Sequence, residues 1–186
     1  MLATHLTRID AAHFATIQRT NLPMELISGK IYTMPVPKEQ HETVSSRMRQ
    51  LLKGLIEGGE IGYGLTDVYL DEFNVLQPDV FWMSGPDSKC RRNQDGHLHG
   101  VPDLVIEVVS EESGLRDRRE KFRLYEKHGA RAYWLVDPRD RYIEVWQMGK
   151  SRYKHDGLFG PGESFVSPAL GGKKVEMRGI FGPVSA

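Results

Sequence analysis

A charged residue in the middle of an apolar segment constrains this chain more than any other sequence feature. The segment 101–110, VPDLVIEVVS, is short and rich in Val, which predicts a strand buried on both faces. Side chains alternate along a strand, so Asp103 and Glu107 are expected on one face with Val105 and Val109. The opposite face is expected to carry Leu104, Ile106 and Val108.

Glu107 needs a compensating interaction if this strand is buried. An unpaired carboxylate in a protein interior costs on the order of several kcal/mol. Glu107 is therefore expected to be protonated, paired with a cation or bound to a metal ion. From this segment alone, a structural ion pair or a solvated strand end is as good an explanation as a functional site.

Length and composition are typical of one soluble domain. With 186 residues the chain can bury a proper core, so we expect a single domain over 1–186. Cys90 is the one cysteine, and Arg8, Asp10 and Arg19 occupy the region where a signal peptide would be apolar. We therefore expect a cytoplasmic protein. No apolar run approaches the roughly 18 residues of a membrane span.

Basic and acidic side chains are balanced, with 25 Lys and Arg against 25 Asp and Glu. No global positive field therefore draws the protein toward nucleic acid. Clustered carboxylates in a site can offset basic residues elsewhere, and a divalent cation would neutralise them. The charge balance leaves a nucleic-acid partner open.

Caps and turns delimit the elements of the N-terminal part. Thr7 and Asp10 have a spacing similar to a capping box, Ser28 and Gly29 have the spacing of a tight hairpin turn, and Gly58 can end a helix. The predicted elements are a helix at Thr7–Gln18, a hairpin of Met24–Ile27 and Lys30–Met34, and a long helix at Lys38–Glu57.

Strands dominate the middle of the chain. Pro78 cannot donate to a strand ladder, so it is expected at the beginning of a strand or at an irregular edge. Ser84–Gly100 has no periodic pattern and is expected to be a long loop. The other predicted elements are strands at Ile61–Leu70, Val75–Met83, 101–110, Ala132–Asp137 and Tyr142–Gln147, a helix at Leu115–His128, and short strand-like pieces at 165–166 and 175–177. This order predicts an α/β or α+β domain around one mixed sheet.

The helix at Leu115–His128 is expected to turn charges toward the sheet. At 100° per residue, Asp117 and Lys121 lie on or beside the half that carries Phe122 and Tyr125. A salt bridge between residues four apart would contribute about 0.2–0.5 kcal/mol and explains the pair in structural terms. A lysine directed toward Glu107 would also compensate the buried carboxylate.

Several segments form a pattern whose order and spacing are more specific than any one of them. They are Gln77-Pro78-Asp79, 102–110, Asp117, Lys121, Tyr125, Gly129 and 133–138, with Glu25, Gly29 and His41 before them. Together they resemble the Uma-two family of the restriction-endonuclease-like PD-(D/E)XK superfamily. The resemblance implies an α-β-β-β-α-β core at about 24–147, a central mixed sheet flanked by helices, and an appended N-terminal helix and strand-rich C-terminal tail.

The resemblance also implies a nuclease site. Asp79 resembles the first metal-binding acid of the superfamily and Glu107 the second, on adjacent core strands. The superfamily's basic residue usually lies two places after the second acid, where this chain has Val109, and Lys121 on the next helix is the candidate instead. Weaker candidates for ligand, supporting or water-orienting roles are Glu25, His41, Asp103 and Asp117.

These residue types suit phosphodiester hydrolysis. Neighbouring carboxylates repel each other unless a cation is present, and Mg²⁺ or Mn²⁺ prefers oxygen ligands. We therefore expect a divalent-metal-dependent endonuclease acting on nucleic acid, with DNA as the expected substrate and a homodimer by fold analogy. Two alternatives are a non-catalytic module that binds nucleic acid or protein, and hydrolysis of another phosphoester.

The segment 84–100 carries two weaker signals. Cys90, His97 and His99 lack the paired spacing of a structural zinc site. Lys89, Arg91 and Arg92 could contact a nucleic-acid backbone, although such a cluster is more often solvated surface.

Overall fold

Two mixed β-sheets organise the fold in the computed structural model, which describes residues 8–17, 22–34, 36–110 and 114–182. The strands are β1 (Met24–Ile27), β2 (Lys30–Thr33), β3 (Glu60–Tyr63), β4 (Val68–Asp71), β5 (Asn74–Leu76), β6 (Val80–Met83), β7 (Arg91–Arg92), β8 (Leu98–His99), β9 (Leu104–Val108), β10 (Ala132–Asp137), β11 (Tyr142–Met148), β12 (Tyr153–Phe159), β13 (Ser164–Ser167) and β14 (Lys173–Glu176). The first sheet has the order β2-β1-β5-β4-β8-β7, the second has the order β12-β11-β10-β9-β6-β3, and β13 pairs with β14.

The helices lie between and around these sheets. They are α1 (Ala11–Thr16), α2 (Glu39–Leu55), α3 (Gly114–Arg116), a π-helical turn (Asp117–Lys121), α4 (Phe122–His128) and a 3-10 helix (Pro168–Leu170). This mixture of helices and mixed sheets confirms the predicted α+β class, with the strands divided between two sheets instead of one. Within the described residues, no helix is both long and apolar enough to cross a membrane.

The second sheet separates the two larger parts of the core. On one face, Leu104, Ile106 and Val108 of β9 pack with apolar residues of α2 and of the β13–β14 hairpin. On the other face, Val105 packs with residues of α4 and of the first sheet. The predicted alternation along β9 is therefore confirmed, and Glu107 lies on the face that looks toward α4 and the first sheet.

The β1–β2 hairpin forms as predicted. Its two turn residues, Ser28 and Gly29, have φ angles of 52° and 77°. Positive φ at both central positions is the geometry of a type I′ turn, whose twist matches that of the flanking strands. The hairpin pairs with β5 through Leu26 and Val75, which fixes β1 inside the first sheet.

The N-terminal helix is shorter than predicted within the described residues. Asp10 caps α1, because its carboxylate accepts a hydrogen bond of 2.7 Å from the backbone amide of His13. The predicted limits at Thr7 and Gln18 lie outside the described residues. The long helix begins and ends within two residues of its predicted limits.

Two predicted strands were wrong, because each is divided between the sheets. Ile61–Leu70 contains β3 of the second sheet and β4 of the first, separated at Gly64, whose φ is 58°. Val75–Met83 contains β5 of the first sheet and β6 of the second, separated at Pro78. Since proline has no amide hydrogen to donate, the ladder breaks there and a new strand begins at Val80.

The segment 84–100 was predicted to be a long loop. This prediction is wrong in part, because the segment contains the short strands β7 and β8. Cys90 is buried, and burial raises the pKa of its thiol to about 12. The rings of His97 and His99 pack on Tyr69, with centroids 4.9 and 5.0 Å away. Arg92 pairs with Glu60 at 2.7 Å, which connects β7 to the second sheet.

Close packing between β3 and β6 predicts a steric effect at Gly62. Gly62 lies opposite Phe81, and an added Cβ would overlap the ring of Phe81. We expect Gly62→Ala to lower the free energy of unfolding by about 1–3 kcal/mol, as in other overpacked cores. Urea unfolding followed by circular dichroism measures the change.

Gly54 on α2 provides the control for this substitution. An added Cβ at Gly54 meets no atom within 4 Å. Because alanine favours a helix over glycine, Gly54→Ala is expected to raise stability by about 0.5–1 kcal/mol. Equal stability of the two variants would contradict the packing described at Gly62.

Candidate functional site

A cleft of about 430 Å³ opens beside the long helix and reaches the buried acids of both sheets. Its lining includes residues from β1, the beginning of α2, the segment before β6, the end of β9 and the π-helical turn. The acidic side chains along it are Glu25, Glu42, Asp79, Glu107 and Asp117, and the basic ones are Lys38, Lys121 and Arg139, with His41 beside them. The cleft therefore contains six of the seven predicted site residues.

Lys121 is the centre of a buried cluster of charges. Its ammonium nitrogen lies 2.9 Å from Glu25 Oε1, 3.2 Å from Glu107 Oε1 and 3.4 Å from Asp117 Oδ1. The side chains of Lys121, Glu25 and Glu107 are only 3%, 1% and 2% exposed. Three carboxylates thus share one cation in a region that is almost fully buried.

A π-helical turn presents both Asp117 and Lys121 to this cluster. The predicted helix is not a regular α-helix, because residues Asp117–Lys121 form a wider turn between α3 and α4. Both end residues of the turn are buried. Tyr133 on β10 holds the turn, since its hydroxyl donates a 3.0 Å hydrogen bond to the Asp117 carbonyl. Such turns often occur at functional sites, because they redirect side chains within a helix.

Glu107 receives a second donor from the same helix. The hydroxyl of Tyr125 donates a 3.1 Å hydrogen bond to Glu107 Oε1, the oxygen that also contacts Lys121. Burial, and then the neighbouring Glu107, raise the pKa of Tyr125 well above its ordinary value, so the phenol keeps its proton. Both of these contacts use Oε1.

Glu25 joins the cluster from the first sheet. Its Oε1 accepts a 2.8 Å hydrogen bond from the backbone amide of Gln77, in addition to the contact with Lys121. The side chain of Gln77 donates to Asp67 at 2.7 Å, which fixes the segment that follows β5. Among the described residues, Glu25 Oε2 is buried without a hydrogen-bond partner. An unpaired buried carboxylate oxygen is costly and invites a positively charged ligand.

Asp79 lies beside the cluster and is the most accessible of its acids. Val80 pairs with Ile106 between β6 and β9, and one further step along this register brings Asp79 opposite Glu107. Asp79 Oδ2 accepts a 2.7 Å hydrogen bond from the Val108 amide and shares a 3.1 Å hydrogen bond with His41 Nε2. The side chain of Asp79 is 22% exposed, so solvent reaches it through the cleft.

His41 is an accessory group that α2 directs onto Asp79. Burial alone would lower the pKa of His41, but the hydrogen bond with Asp79 and its negative charge raise it. Nδ1 of His41 is buried and has no hydrogen-bond partner among the described residues. Two groups, the Val108 amide and the His41 imidazole, thus hold the same oxygen of Asp79, Oδ2.

Burial dominates the electrostatics of the cluster. It raises the pKa of Glu107 well above the ordinary value, against the attraction of Lys121, and it raises the pKa of Glu25 in the same way. Burial would lower the pKa of Lys121, yet the negative charges of Glu107 and Glu25 raise it well above the ordinary value. The lysine therefore stays charged, while the carboxylates favour a further proton or cation.

The side chains do not converge on a point where a metal ion would have three ligands. Across residues 8–17, 22–34, 36–110 and 114–182, no group of three or more His, Cys, Asp or Glu side chains is arranged to hold a metal. The ammonium of Lys121 lies instead where Glu25, Glu107 and Asp117 meet. Metal binding by Asp79 and Glu107 remains a prediction.

Asp103 is the predicted site residue that lies elsewhere. It shares the face of β9 with Glu107, but its Oδ2 accepts a 2.8 Å hydrogen bond from the Ser84 amide and its Oδ1 lies 3.7 Å from Arg131. Two further groups of the site, the Tyr125 hydroxyl and the Gln77 amide, belong to residues of the sequence pattern that were not predicted as site residues. The position of Tyr125, four residues after Lys121, was a signal that could have identified it.

Comparison with known proteins places this chain in a family. A sequence profile of the Uma2 family, described as "Putative restriction endonuclease", matches residues 11–177. The chain belongs to the Uma2 family. This confirms the resemblance inferred from the motifs, and the match extends beyond the region from which that resemblance was drawn.

This Uma2 chain is also similar to two individual proteins. A crystal structure from Anabaena variabilis, titled as that of "a putative nuclease belonging to DUF820", has a TM-score of 0.76 and 19% identity, and covers 93% of this chain and 97% of that one. At this identity the likeness shows the fold. The "Uncharacterized protein slr1290" of Synechocystis sp. is 31% identical over 104 residues, so the match spans 54% of this chain and 53% of that protein.

The charge cluster predicts a large effect of removing its cation. Lys121→Met leaves three buried carboxylates without their ammonium, so we expect the free energy of unfolding to fall by about 3–5 kcal/mol. Urea unfolding at neutral pH in EDTA measures it. Lys127→Met on the same helix removes a lysine whose side chain is 67% exposed, and this control is expected to change stability by at most about 0.5 kcal/mol.

A second substitution tests whether the repulsion among the acids causes this loss. Adding Glu25→Gln to Lys121→Met removes one of the orphaned charges, so the double variant should recover part of the loss, with a coupling of about 0.5–3 kcal/mol. Strictly additive losses would show that Glu25 and Lys121 do not interact as described.

Proposed function

We propose that this Uma2 protein is a divalent-metal-dependent nuclease that hydrolyses phosphodiester bonds in the cleft, with Asp79, Glu107 and Lys121 as its catalytic residues. The observation that carries the proposal is the arrangement around Lys121. Its ammonium lies within 3.4 Å of three buried carboxylates, beside the accessible Asp79 at the base of an open cleft. Family membership supports a nucleic-acid substrate.

The donor set fits a hard divalent cation. The described contacts of Asp79 and Glu107 each use one carboxylate oxygen, Oδ2 and Oε1 respectively. Their second oxygens are the ligands that we assign to Mg²⁺ or Mn²⁺. Glu25 Oε2, which has no hydrogen-bond partner within the described part of the chain, and the raised pKa of Glu107 favour additional positive charge in the same way.

Hydrolysis requires a water oxygen to bond to phosphorus while the bond from phosphorus to the leaving sugar oxygen breaks. The attacking water loses a proton and the leaving sugar oxygen gains one. A bound divalent cation would supply Lewis-acid polarisation of the phosphate and a lower pKa for that water. Lys121 would orient the water or stabilise the negative charge that grows on the phosphoryl oxygens. The ammonium nitrogen of Lys121 lies 3.2 Å from Glu107 Oε1, and this position beside a proposed metal ligand allows either role.

The remaining residues would position these three. His41 and the Val108 amide hold Asp79, and Tyr125 holds Glu107. Asp117 and Glu25 keep Lys121 charged, because their negative charges add to the rise of its pKa. We assign no role to Asp103 in the reaction, since its contacts are with Ser84 and Arg131.

A non-catalytic module is the alternative that a specific observation favours. Lys121 already pairs with Glu25, Glu107 and Asp117, and an ion cluster of this kind can serve the fold without chemistry. In that case the acids would stabilise the fold and the cleft would bind without cutting. Metal binding and cleavage distinguish the two functions.

Metal binding should be visible as thermal stabilisation. We expect Mg²⁺ or Mn²⁺ at a hundredfold excess over its dissociation constant to stabilise the native protein by about 2.7 kcal/mol. Differential scanning fluorimetry should show a higher melting temperature for the wild type and no shift for Asp79→Asn or Glu107→Gln. Glu57→Gln, which removes a carboxylate whose side chain is 95% exposed and outside the cleft lining, should keep the shift. A shift that persists in Glu107→Gln would refute the proposed ligands.

Cleavage is the direct test of the proposed reaction. Wild-type protein with Mg²⁺ or Mn²⁺ should cut at least one of four substrates: linear DNA, supercoiled DNA, single-stranded DNA and RNA. EDTA should abolish the cutting, and Asp79→Asn or Glu107→Gln should lower the rate by at least about 10²-fold, since each removes charge at the reacting group. Glu57→Gln should retain the wild-type rate. Intact substrates with folded, metal-stabilised protein would favour the non-catalytic module.

A further inference from the structure

The π-helical turn is attached to the second sheet by a residue in its middle. Between the buried ends Asp117 and Lys121, Arg119 and Glu120 are exposed, whereas the side chain of Arg118 is 32% exposed. A wider turn of this kind is uncommon in helices. Contacts from outside the helix must therefore favour it over a regular α-helical turn, and the guanidinium of Arg118 supplies such contacts.

Arg118 binds three side chains at the end of the β10–β11 hairpin. Its Nη1 donates a 2.8 Å hydrogen bond to Glu144 Oε2, and its Nη2 donates a 2.8 Å hydrogen bond to the Tyr142 hydroxyl. Nη2 also lies 3.5 Å from Asp137 Oδ2. The side chains of Asp137 and Glu144 are only 12% and 18% exposed, so salt screens these contacts little. The planar guanidinium can serve all three partners, which a lysine cannot.

Glu144 and Glu107 lie on one rung of the second sheet. Leu135 on β10 pairs with Glu107 on β9 and with Glu144 on β11. Residues directly opposite each other on neighbouring strands point to the same face of a sheet. Both acids therefore face the helix that carries the π-helical turn, where Arg118 binds Glu144 and Lys121 binds Glu107. The turn thus lies across the rung, with one cation on each acid.

Two attachments fix the orientation of the turn. The Tyr133 hydroxyl holds one point, the backbone carbonyl of Asp117, and the guanidinium of Arg118 holds a second. The ammonium of Lys121, three residues after Arg118, must at the same time reach one glutamate of each sheet, at 2.9 and 3.2 Å. A rotation of the turn would move Lys121 away from at least one of these carboxylates.

We propose that Arg118 is a positioning residue of the cleft, which anchors the π-helical turn to the β10–β11 hairpin and thereby places the Lys121 ammonium between the two sheets. This proposal rests on the proposed nuclease function, in which Lys121 is a catalytic residue. Arg118 itself lies outside the cleft lining, so it acts on the reaction only through Lys121.

Steady-state kinetics test the effect on the reaction. Arg118→Met should lower kcat at least about tenfold, because displacement of a reacting group by about 1 Å can cost about 10²-fold in rate. KM should stay within about twofold, since no contact with the substrate is removed. Arg118→Lys should recover part of kcat, because it restores a charge beside Glu144. A raised KM with unchanged kcat would place Arg118 in substrate binding and overturn the proposal, as would wild-type kinetics of Arg118→Met.

Arg47 on α2 provides the matched control. It is half-buried, donates a 3.1 Å hydrogen bond to the Ile180 carbonyl and lies outside the cleft lining. Arg47→Met removes an arginine that also ties two segments together, and it should retain the wild-type kcat. An equal fall in kcat for Arg47→Met and Arg118→Met would show a general loss of structure and contradict a specific role of Arg118.

The NMR signal of the Lys121 ammonium tests the positioning without any cleavage. It is recorded on ¹⁵N-labelled protein in EDTA and assigned through the carbons of the same side chain. In Arg118→Met the signal should shift, and its protons should exchange with water at least about tenfold faster, because the turn opens more often. Arg118→Lys and Glu144→Gln should change the signal in the same direction by less. Arg47→Met should leave it as in the wild type.

The outcomes of this measurement separate the proposal from the nuclease function. A Lys121 signal that is unchanged in Arg118→Met, or equally changed in Arg47→Met, would refute the positioning role whether or not nucleic acid is cut. A change confined to the Arg118 and Glu144 variants would support it even if the wild type cuts nothing, in which case the nuclease function fails alone. If Arg118→Met does not fold, an unchanged signal in both Arg118→Lys and Glu144→Gln overturns the proposal.

Discussion

The contact of Lys121 with Glu25, Glu107 and Asp117 is the interaction on which the cleft depends. Each of these groups is buried, so each would be destabilising without the others. Glu25 comes from the first sheet, Glu107 from the second, and the remaining two from the turn between α3 and α4. One ammonium therefore holds together three parts of the chain, and the two sheets meet around a charge instead of around apolar side chains alone.

This arrangement also leaves the site short of positive charge. Three carboxylates surround one lysine, and Asp79 is beside them, so burial and mutual repulsion raise the pKa values of Glu25 and Glu107. A protein that needed the cluster only for stability would be better served by equal numbers of opposite charges. The excess of carboxylates is the feature of this Uma2 chain on which the proposed binding of a divalent cation rests.

Sequence patterns predicted the parts of this structure that are determined by residues close to one another in the chain. A buried strand with an acid, a hairpin with two turn residues and an apolar helical stripe are visible in short windows, and β9, the β1–β2 hairpin and α2 were all predicted correctly. The division of Ile61–Leu70 and Val75–Met83 between two sheets depends on long-range pairing, which no window contains. The π-helical turn was missed for the same reason, because Tyr133 and the charge cluster hold it from outside the helix.

The backbone amide of Val108, at the end of β9, donates a hydrogen bond to the side chain of Asp79, the residue before β6. Where β6 and β9 would continue their ladder through backbone carbonyls, an aspartate side chain accepts instead. The contact at the end of β9 and the proposed metal ligand therefore share one carboxylate. A ligand that draws the Asp79 carboxylate into the cleft would stretch or break its hydrogen bond with the Val108 amide. Conversely, fraying of the end of β9 would release the Asp79 side chain. The order of this strand end is thus coupled to the position of Asp79.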